Sequence, residues 1–122
     1  MDIYREIILD HYKNPRNFGH LPNPDATVEE GNVTCGDRIN IEVTVDGDKI
    51  KDIRFSGEGC AISQASASML TERVKGMDLP QIKKLDAKYM LAMLGTTLTP
   101  SRTKCALLSL EVLQKVVLKI HP

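Results

Sequence analysis

Three thiols and one carboxylate are the residues of this 122-residue chain whose types and spacing could do chemistry: Cys35, Asp37, Cys60 and Cys105. An odd cysteine count cannot pair fully into disulfides. A 13.6 kDa chain that is 42% hydrophobic does not need them to fold. Cys35 lies in the turn-rich stretch Gly31-Asn32-Val33-Thr34-Cys35-Gly36-Asp37. Cys60 follows Ser56-Gly57-Glu58-Gly59, and Cys105 comes after Thr99-Pro100-Ser101. None falls in the middle of a hydrophobic stripe, where a cysteine used as packing filler is expected. Cys60 and Cys105 fall near the starts of helices, where the macrodipole and unpaired N–H groups favour thiolate over thiol. Arg102 and Lys104 add positive charge beside Cys105.

Asp37 stands two residues beyond Cys35, and the intervening Gly36 lets a loop aim both side chains at one centre. Three soft thiolates and one hard carboxylate suit tetrahedral Zn²⁺, or iron within a sulfide-bridged cluster. Permanent clusters usually have four cysteines, so a carboxylate in one place should ease release. The separations, 25 residues from Cys35 to Cys60 and 45 from Cys60 to Cys105, are unlike the close pairs of a zinc knuckle. A site gathered from three distant loops can be opened by moving one of them. On these residues alone three readings stand: a shared metal or sulfur site, unrelated structural cysteines, or a catalytic thiol.

Other chemistry-bearing residues read more plainly. His11 suits a hydrogen-bonded or solvent-facing role, and nothing near His20 or His121 in sequence makes them ligands. Lys104 either pairs with Asp37 or a thiolate, or is solvated. Met69, Met77, Met90 and Met93 read as core filler. Ser63, Ser66 and Ser68 read as small-residue helix packing, since no His–Asp partner accompanies them. Gly57 and Gly59 lack the Gly-Lys-Ser/Thr of a phosphate loop and read as letting the backbone approach the metal site closely.

The elements that must position the four residues follow from periodicity. Ile3, Ile7, Ile8 and Tyr12 share a helical face that ends at Asn14-Pro15. Gly19 to Asp25, with Pro22 and Pro24, is a connector, and Ala26 to Glu30 has a weak strand pattern. Ile39, Ile41, Val43 and Val45 alternate with Asn40, Glu42 and Thr44 in a half-buried strand. Asp46-Gly47 turns the chain, and Lys49 to Phe55 returns. Ile50 is out of phase with Ile53 and Phe55, which marks a bulge. Helices are expected at Ala61 to Lys75, with Ile62, Ala65, Met69 and Leu70 toward the core, and after a cap at Asp78 to about Leu85. Two more should run from about Ala87 to Leu94, ended by Gly95, and from about Ser101 to Ile120, with Leu108, Val112, Val116 and Val117 on one stripe. The fold class is α+β: a small three-stranded antiparallel sheet packed against about five helices, in one domain spanning 1–122.

Sixteen basic residues balance sixteen acidic ones, so no global charge draws the chain to nucleic acid or an anionic membrane. Five aromatic residues are too few for a base-stacking single-strand binder. No apolar run approaches the roughly 20 residues of a membrane span, and the N-terminus lacks a secretory pattern. A soluble cytoplasmic domain is expected.

Several stretches together resemble the iron–sulfur cluster assembly scaffold family of IscU, SufU and NifU N-terminal type. They are Asp10-His11-Tyr12-Lys13-Asn14-Pro15-Arg16-Asn17, Cys35-Gly36-Asp37, Gly57-Glu58-Gly59-Cys60-Ala61-Ile62-Ser63, the helix Gln64 to Leu70, and Arg102-Thr103-Lys104-Cys105-Ala106. The resemblance implies that a PLP-dependent cysteine desulfurase delivers persulfide sulfur, with Cys105 as acceptor by position. It implies a transient [2Fe-2S] cluster, or Zn²⁺, held at one site by Cys35, Asp37, Cys60 and Cys105. Asp37 would be the labile ligand, so that an Asp37→Ala protein keeps its cluster longer. The cluster would pass to apo iron–sulfur proteins, and the segment through Asn17, with Arg5, Lys13 and Arg16, would dock the desulfurase. Lys104 stands where IscU-type members have histidine. Leu98-Thr99-Pro100-Ser101 stands where they have the Leu-Pro-Pro-Val-Lys stretch gripped by a dedicated Hsp70 chaperone, which speaks against chaperone-driven release. The cysteine context is closer to SufU, which implies as the alternative a zinc-dependent sulfurtransferase relaying persulfide from the desulfurase to another assembly complex. The short gap between Cys60 and Cys105 is nearer IscU, which implies a non-catalytic scaffold. A zinc ion that merely staples three loops is the structural reading, and stripping the metal should then unfold the domain.

Overall fold

The computed structural model describes residues 3–32 and 36–122. In chain order it has α1 (Ile3–Lys13), β1 (Ala26–Asn32), β2 (Asp37–Asp46), β3 (Lys49–Glu58), α2 (Ala61–Val74), α3 (Leu79–Lys83), α4 (Ala87–Leu94) and α5 (Pro100–Ile120). The strands form one antiparallel sheet in the order β1-β2-β3. This is the α+β arrangement expected from the sequence.

Alternation builds the centre of the sheet. Ile41 pairs with Phe55 and Val43 with Ile53, and all four, with Ile39, are fully buried. Beyond Thr44↔Asp52 the register slips to Val45↔Ile50. Lys51 is skipped, and Ile50 returns to the core at 1% exposure. The bulge therefore resolves the phase conflict in the sequence. β1 runs two residues further than its weak pattern suggests, because Gly31 pairs with Arg38 and Asn32 with Asp37. Pairing, not hydrophobicity, sustains it.

Helix α5 lies over β1 and β2, α2 lies against β3, and the two helices pack on each other. Of the 14 residues of α2, 11 are buried, far more than Ile62, Ala65, Met69 and Leu70. Its serines and alanines leave so little bulk that neighbours close in on all sides. A helix buried all round has no amphipathic signature to read.

The α1 stripe turns out differently. Only Ile8 is buried, while Ile3, Ile7 and Tyr12 remain exposed. The helix lies along α2 with Ile8 in the core, and polar bonds from His11 and from the residues just after the helix tie this segment to α2. Ser68 Oγ sits 2.7 Å from His11 Nδ1 and accepts the Arg16 N–H at 2.8 Å. The Asn17 amide donates to Thr71 Oγ1 at 3.1 Å and to Glu72 at 2.9 Å. Asn17 holds φ at 63°, and its carbonyl accepts from the Phe55 amide. Burial, and then the Arg16 guanidinium, lower the pKa of His11 below its ordinary 6.5, against a smaller pull from Asp10 and Glu72. As pH falls, the unfolded chain takes up this proton first, so stability is lost from about pH 6.5 downward. His11→Gln should make the Tm fall less steeply between about pH 7 and 5, as read by calorimetry.

On the open face of the sheet the proline-bearing connector is pinned to Glu42. That carboxylate accepts from His20 Nδ1 at 2.6 Å, the Leu21 N–H at 2.8 Å and Asn40 Nδ2 at 3.1 Å. Burial alone would raise its pKa, but these donors hold it below the ordinary carboxylate value. Asp78 does not cap α3 with its side chain, as the sequence suggests. It forms a backbone bridge with Lys49, and Leu79 N–H donates to Asp48 O. Asp86 instead caps α4, accepting from the Tyr89 N–H at 2.9 Å. Gly95 ends α4 at φ 66°, beneath the ring of Tyr4.

Candidate metal centre

Asp37 is the first residue of β2 and is 2% exposed. Its partners lie across the sheet, where β3 runs out and α2 begins. Cys60, in extended conformation, is the N-cap of α2, and its own side chain caps nothing. The carboxylate does the capping instead, with Asp37 Oδ1 accepting the Cys60 N–H at 2.9 Å. Asp37 Oδ2 lies 3.9 Å from Cys60 Sγ. An anion at a helix start is favoured by the unpaired N–H groups there.

Two glycines permit close approaches at this end of the sheet. A Cβ on Gly59 would come within 2.7 Å of Asp37 Oδ1, so the close approach expected at this position is present. Gly57, at φ 131°, serves a different contact: a Cβ there would lie 2.0 Å from the carbonyl oxygen of Arg38. It lets β3 pass against β2 just before the chain turns into α2.

Cys105 comes from the last helix, which packs on α2 and the sheet. It sits in the second turn of α5, beyond the reach of the unpaired amides of the helix start. It also begins the buried stripe that continues through Leu108, Val112 and Val116. Cys105 is thus at the end of a hydrophobic stripe and not in its middle, yet at 4% exposure it is buried with it. Burial distinguishes this thiol, not the helix dipole. Cys60 is half-buried, and neither cysteine is in a disulfide. Arg102 and Lys104 are exposed.

One donor atom each from Asp37, Cys60 and Cys105 lie within 4.8 Å of one another. Cys35, expected as the fourth ligand, lies outside the described residues. Asp37 has no ion pair with a lysine or arginine among the described residues, so Lys104 does not pair with it. A buried carboxylate beside two thiols and without a protein cation is an arrangement that a bound cation would complete. Two sulfurs and one oxygen match the donors of zinc, and of iron in a thiolate site.

No histidine joins this group among the described residues. His11 meets Ser68, His20 meets Glu42 and His121 meets Lys83. The methionines are elsewhere, Met69, Met90 and Met93 buried in the core. Two open hollows flank the centre. One of about 320 Å³ is lined by Gly31, Asn32, Lys104, Leu108 and Glu111, the other of about 180 Å³ by Gly31, Asn32, Gly36, Asp37 and Arg38. A cavity of about 540 Å³ lies at the opposite end of the sheet, under the Asp46–Lys49 turn, away from the thiols. No helix among the described residues is long and apolar enough to cross a membrane.

Residues 3–121 match the family described as the NifU-like N terminal domain. The zinc-dependent sulfurtransferase SufU of Bacillus subtilis is 44% identical over 134 aligned positions, covering 96% of this chain and 90% of that protein. Those positions outnumber the 122 residues here, so that relative carries segments absent from this chain. The iron-sulfur cluster assembly scaffold protein IscU of Aquifex aeolicus is 39% identical over 116 positions, covering 93% of this chain and 73% of that one. Among solved structures, a protein described as a scaffold for the SUF system of Fervidobacterium islandicum superimposes with a TM-score of 0.77 at 29% identity, covering 92% and 94% of the two chains. The N-terminal part of a NifU-like protein of Brucella abortus shares the fold, with a TM-score of 0.80 at 21% identity over 97% and 94%.

Proposed function

Because the chain belongs to the NifU-like N-terminal domain family, that of the IscU and SufU assembly scaffolds, we propose that it is a zinc-dependent acceptor of persulfide sulfur. The observation that carries this reading is the convergence of Asp37, Cys60 and Cys105 within 4.8 Å, with the carboxylate already seated on the start of α2. Cys35 completes the donor set. Zinc bound there supplies the positive charge that keeps the thiols deprotonated at neutral pH.

The sulfur arrives as the persulfide of a PLP-dependent cysteine desulfurase. The Cys105 thiolate attacks the terminal sulfur of that persulfide. The S–S bond of the persulfide breaks, a new S–S bond to Cys105 forms, and the desulfurase cysteine leaves as thiolate. No outside oxidant or reductant enters. Cys105 is nearly covered, so transfer requires its cover to open; the hollow along Asn32, Lys104 and Leu108 lies beside it. Exposed Ile3, Tyr4, Ile7, Tyr12 and Phe18 supply an apolar surface for docking the desulfurase. From this chain the sulfur passes to a downstream assembly complex.

One observation favours a second reading, in which the same site builds a transient [2Fe-2S] cluster for apo-proteins. The IscU of Aquifex aeolicus, at 39% identity, covers 93% of this chain, nearly the 96% covered by the SufU. One experiment separates the two. Metal-free protein is incubated anaerobically with desulfurase and cysteine, with either Zn²⁺ or Fe²⁺ added. Zinc-dependent acceleration of desulfurase turnover, with persulfide mapped to Cys105 by mass spectrometry, is the expected result. A stable visible charge-transfer spectrum with about two irons and two sulfides per site, held longer by Asp37→Ala, would transfer the assignment to the scaffold reading.

A further inference from the structure

We infer that Ser63 is a positioning residue for Asp37, its hydroxyl donating to the carboxylate oxygen that stays off the metal. The inference rests on the metal-centre reading above and names a residue that reading does not use.

Ser63 is on the first turn of α2 and is 1% exposed. Its hydroxyl has no hydrogen-bond partner among the described residues. Burying a hydroxyl unpaired is costly, so such a group calls for an explanation by use. The surroundings of Gly59 suggest one. The point where a Gly59 side chain would begin lies 3.0 Å from Ser63 Oγ, 2.7 Å from Asp37 Oδ1 and 3.1 Å from Asp37 Cγ. The hydroxyl and the carboxylate thus border the same vacant Cβ position, one too small for a methyl group, and a small rotation of either brings them into hydrogen-bond reach.

Asp37 Oδ1 already accepts the Cys60 N–H. Oδ2, on the side of the Cys60 sulfur, is the oxygen left for the ion. A carboxylate that ligates through Oδ2 keeps Oδ1 for donors from the protein. The Cys60 amide supplies one and Ser63 can supply the second, since an oxygen with two lone pairs accommodates both. Two donors on one oxygen hold the group to single-oxygen ligation and fix its direction, as outer partners of metal ligands do elsewhere. Ser66 and Ser109 also bury unpartnered hydroxyls, but neither is among the atoms nearest Gly59.

The test uses two readouts that should move in opposite directions. Zinc affinity is measured by competition with a chromophoric chelator, and the Tm of the metal-free protein is measured separately. Ser63→Ala should weaken zinc binding about 10- to 100-fold, while the metal-free Tm stays level or rises because an unpaired buried hydroxyl has gone. Ser66→Ala should leave the affinity unchanged, and Ser63→Ala added to Asp37→Ala should cost nothing further. Wild-type affinity in Ser63→Ala overturns the inference. So does an equal loss in Ser66→Ala, or an undiminished loss in the Asp37→Ala background. Failure of the wild-type protein to bind zinc through Asp37 would instead remove the metal-centre reading beneath it.

Discussion

A Cys105→Ala protein should lose more than about 100-fold in zinc affinity, a larger effect than the 10–100-fold typical for groups that only support a ligand, and it should accept no sulfur from the desulfurase. The thiol is one of three described donors that converge within 4.8 Å, and no histidine is near enough to replace it. The fold should survive. Cys105 is flanked on its stripe by Leu108 and Val112, and removing one sulfur from such a wall costs about 1 kcal/mol. Zinc titration of the metal-free variant, beside a persulfide assay, checks both halves. Wild-type zinc affinity in this variant would place the ion elsewhere. Persulfide formed at Cys60 or Cys35 in the variant would move the acceptor role from Cys105.

Gly57→Ala should be the most damaging glycine-to-alanine change among the described residues. Its Cβ would lie 2.0 Å from the Arg38 carbonyl oxygen and 2.9 Å from the carbonyl carbon, both backbone atoms in the central strand. No side chain can swing aside, so the strands must part. The φ of 131° adds strain that an L residue meets and glycine does not. Overpacking costs about 1–3 kcal/mol and the backbone conformation a further 1–3 or so, so a loss of about 2–6 kcal/mol is expected. The Arg38–Glu58 end of the sheet carries Asp37 on one strand and leads into Cys60 on the other. Zinc affinity should therefore fall along with Tm. Denaturant unfolding measures the first effect, and a loss below about 1 kcal/mol would show that the strand pair can spread at that point. Gly95→Ala is a milder case, because there the obstacle is the ring of Tyr4, a side chain able to move.

How far the sequence could be read depends on what each residue answers to. The strands from Ile39 to Phe55, the bulge at Ile50, and the helix ends at Gly95 and Ile120 were legible, because alternation and turn residues are local properties. The convergence of Asp37, Cys60 and Cys105 was one of three readings that residue type and spacing left open, and the family resemblance is what implied it. The surroundings of those residues were not legible. Cys105 reads as a helix-start thiol because Thr99-Pro100 marks a helix start; only the stripe in three dimensions shows that it belongs to the core. Helix α2 hides its burial because serine and alanine carry no hydrophobic period. The α1 stripe has a correct period but buries only Ile8, and the polar bonds from His11, and from Arg16 and Asn17 beyond the helix, run to residues more than fifty positions away.

The origin of the three candidate donors in separate elements also has a meaning for the chain while it is being made. Helix α5, which carries Cys105, packs on β1, β2, α2, α3 and α4, and follows all of them in the chain. During synthesis the sheet and α2 leave the ribosome with Asp37 and Cys60 in place but without the element that closes over them. Until the last turns of α5 are free of the exit tunnel, no complete ligand set exists to capture a cation. The nascent protein is then a chain of separate thiols, open to oxidation and to loose metal. Closure of the core by α5 and assembly of the candidate donor set are thus one event.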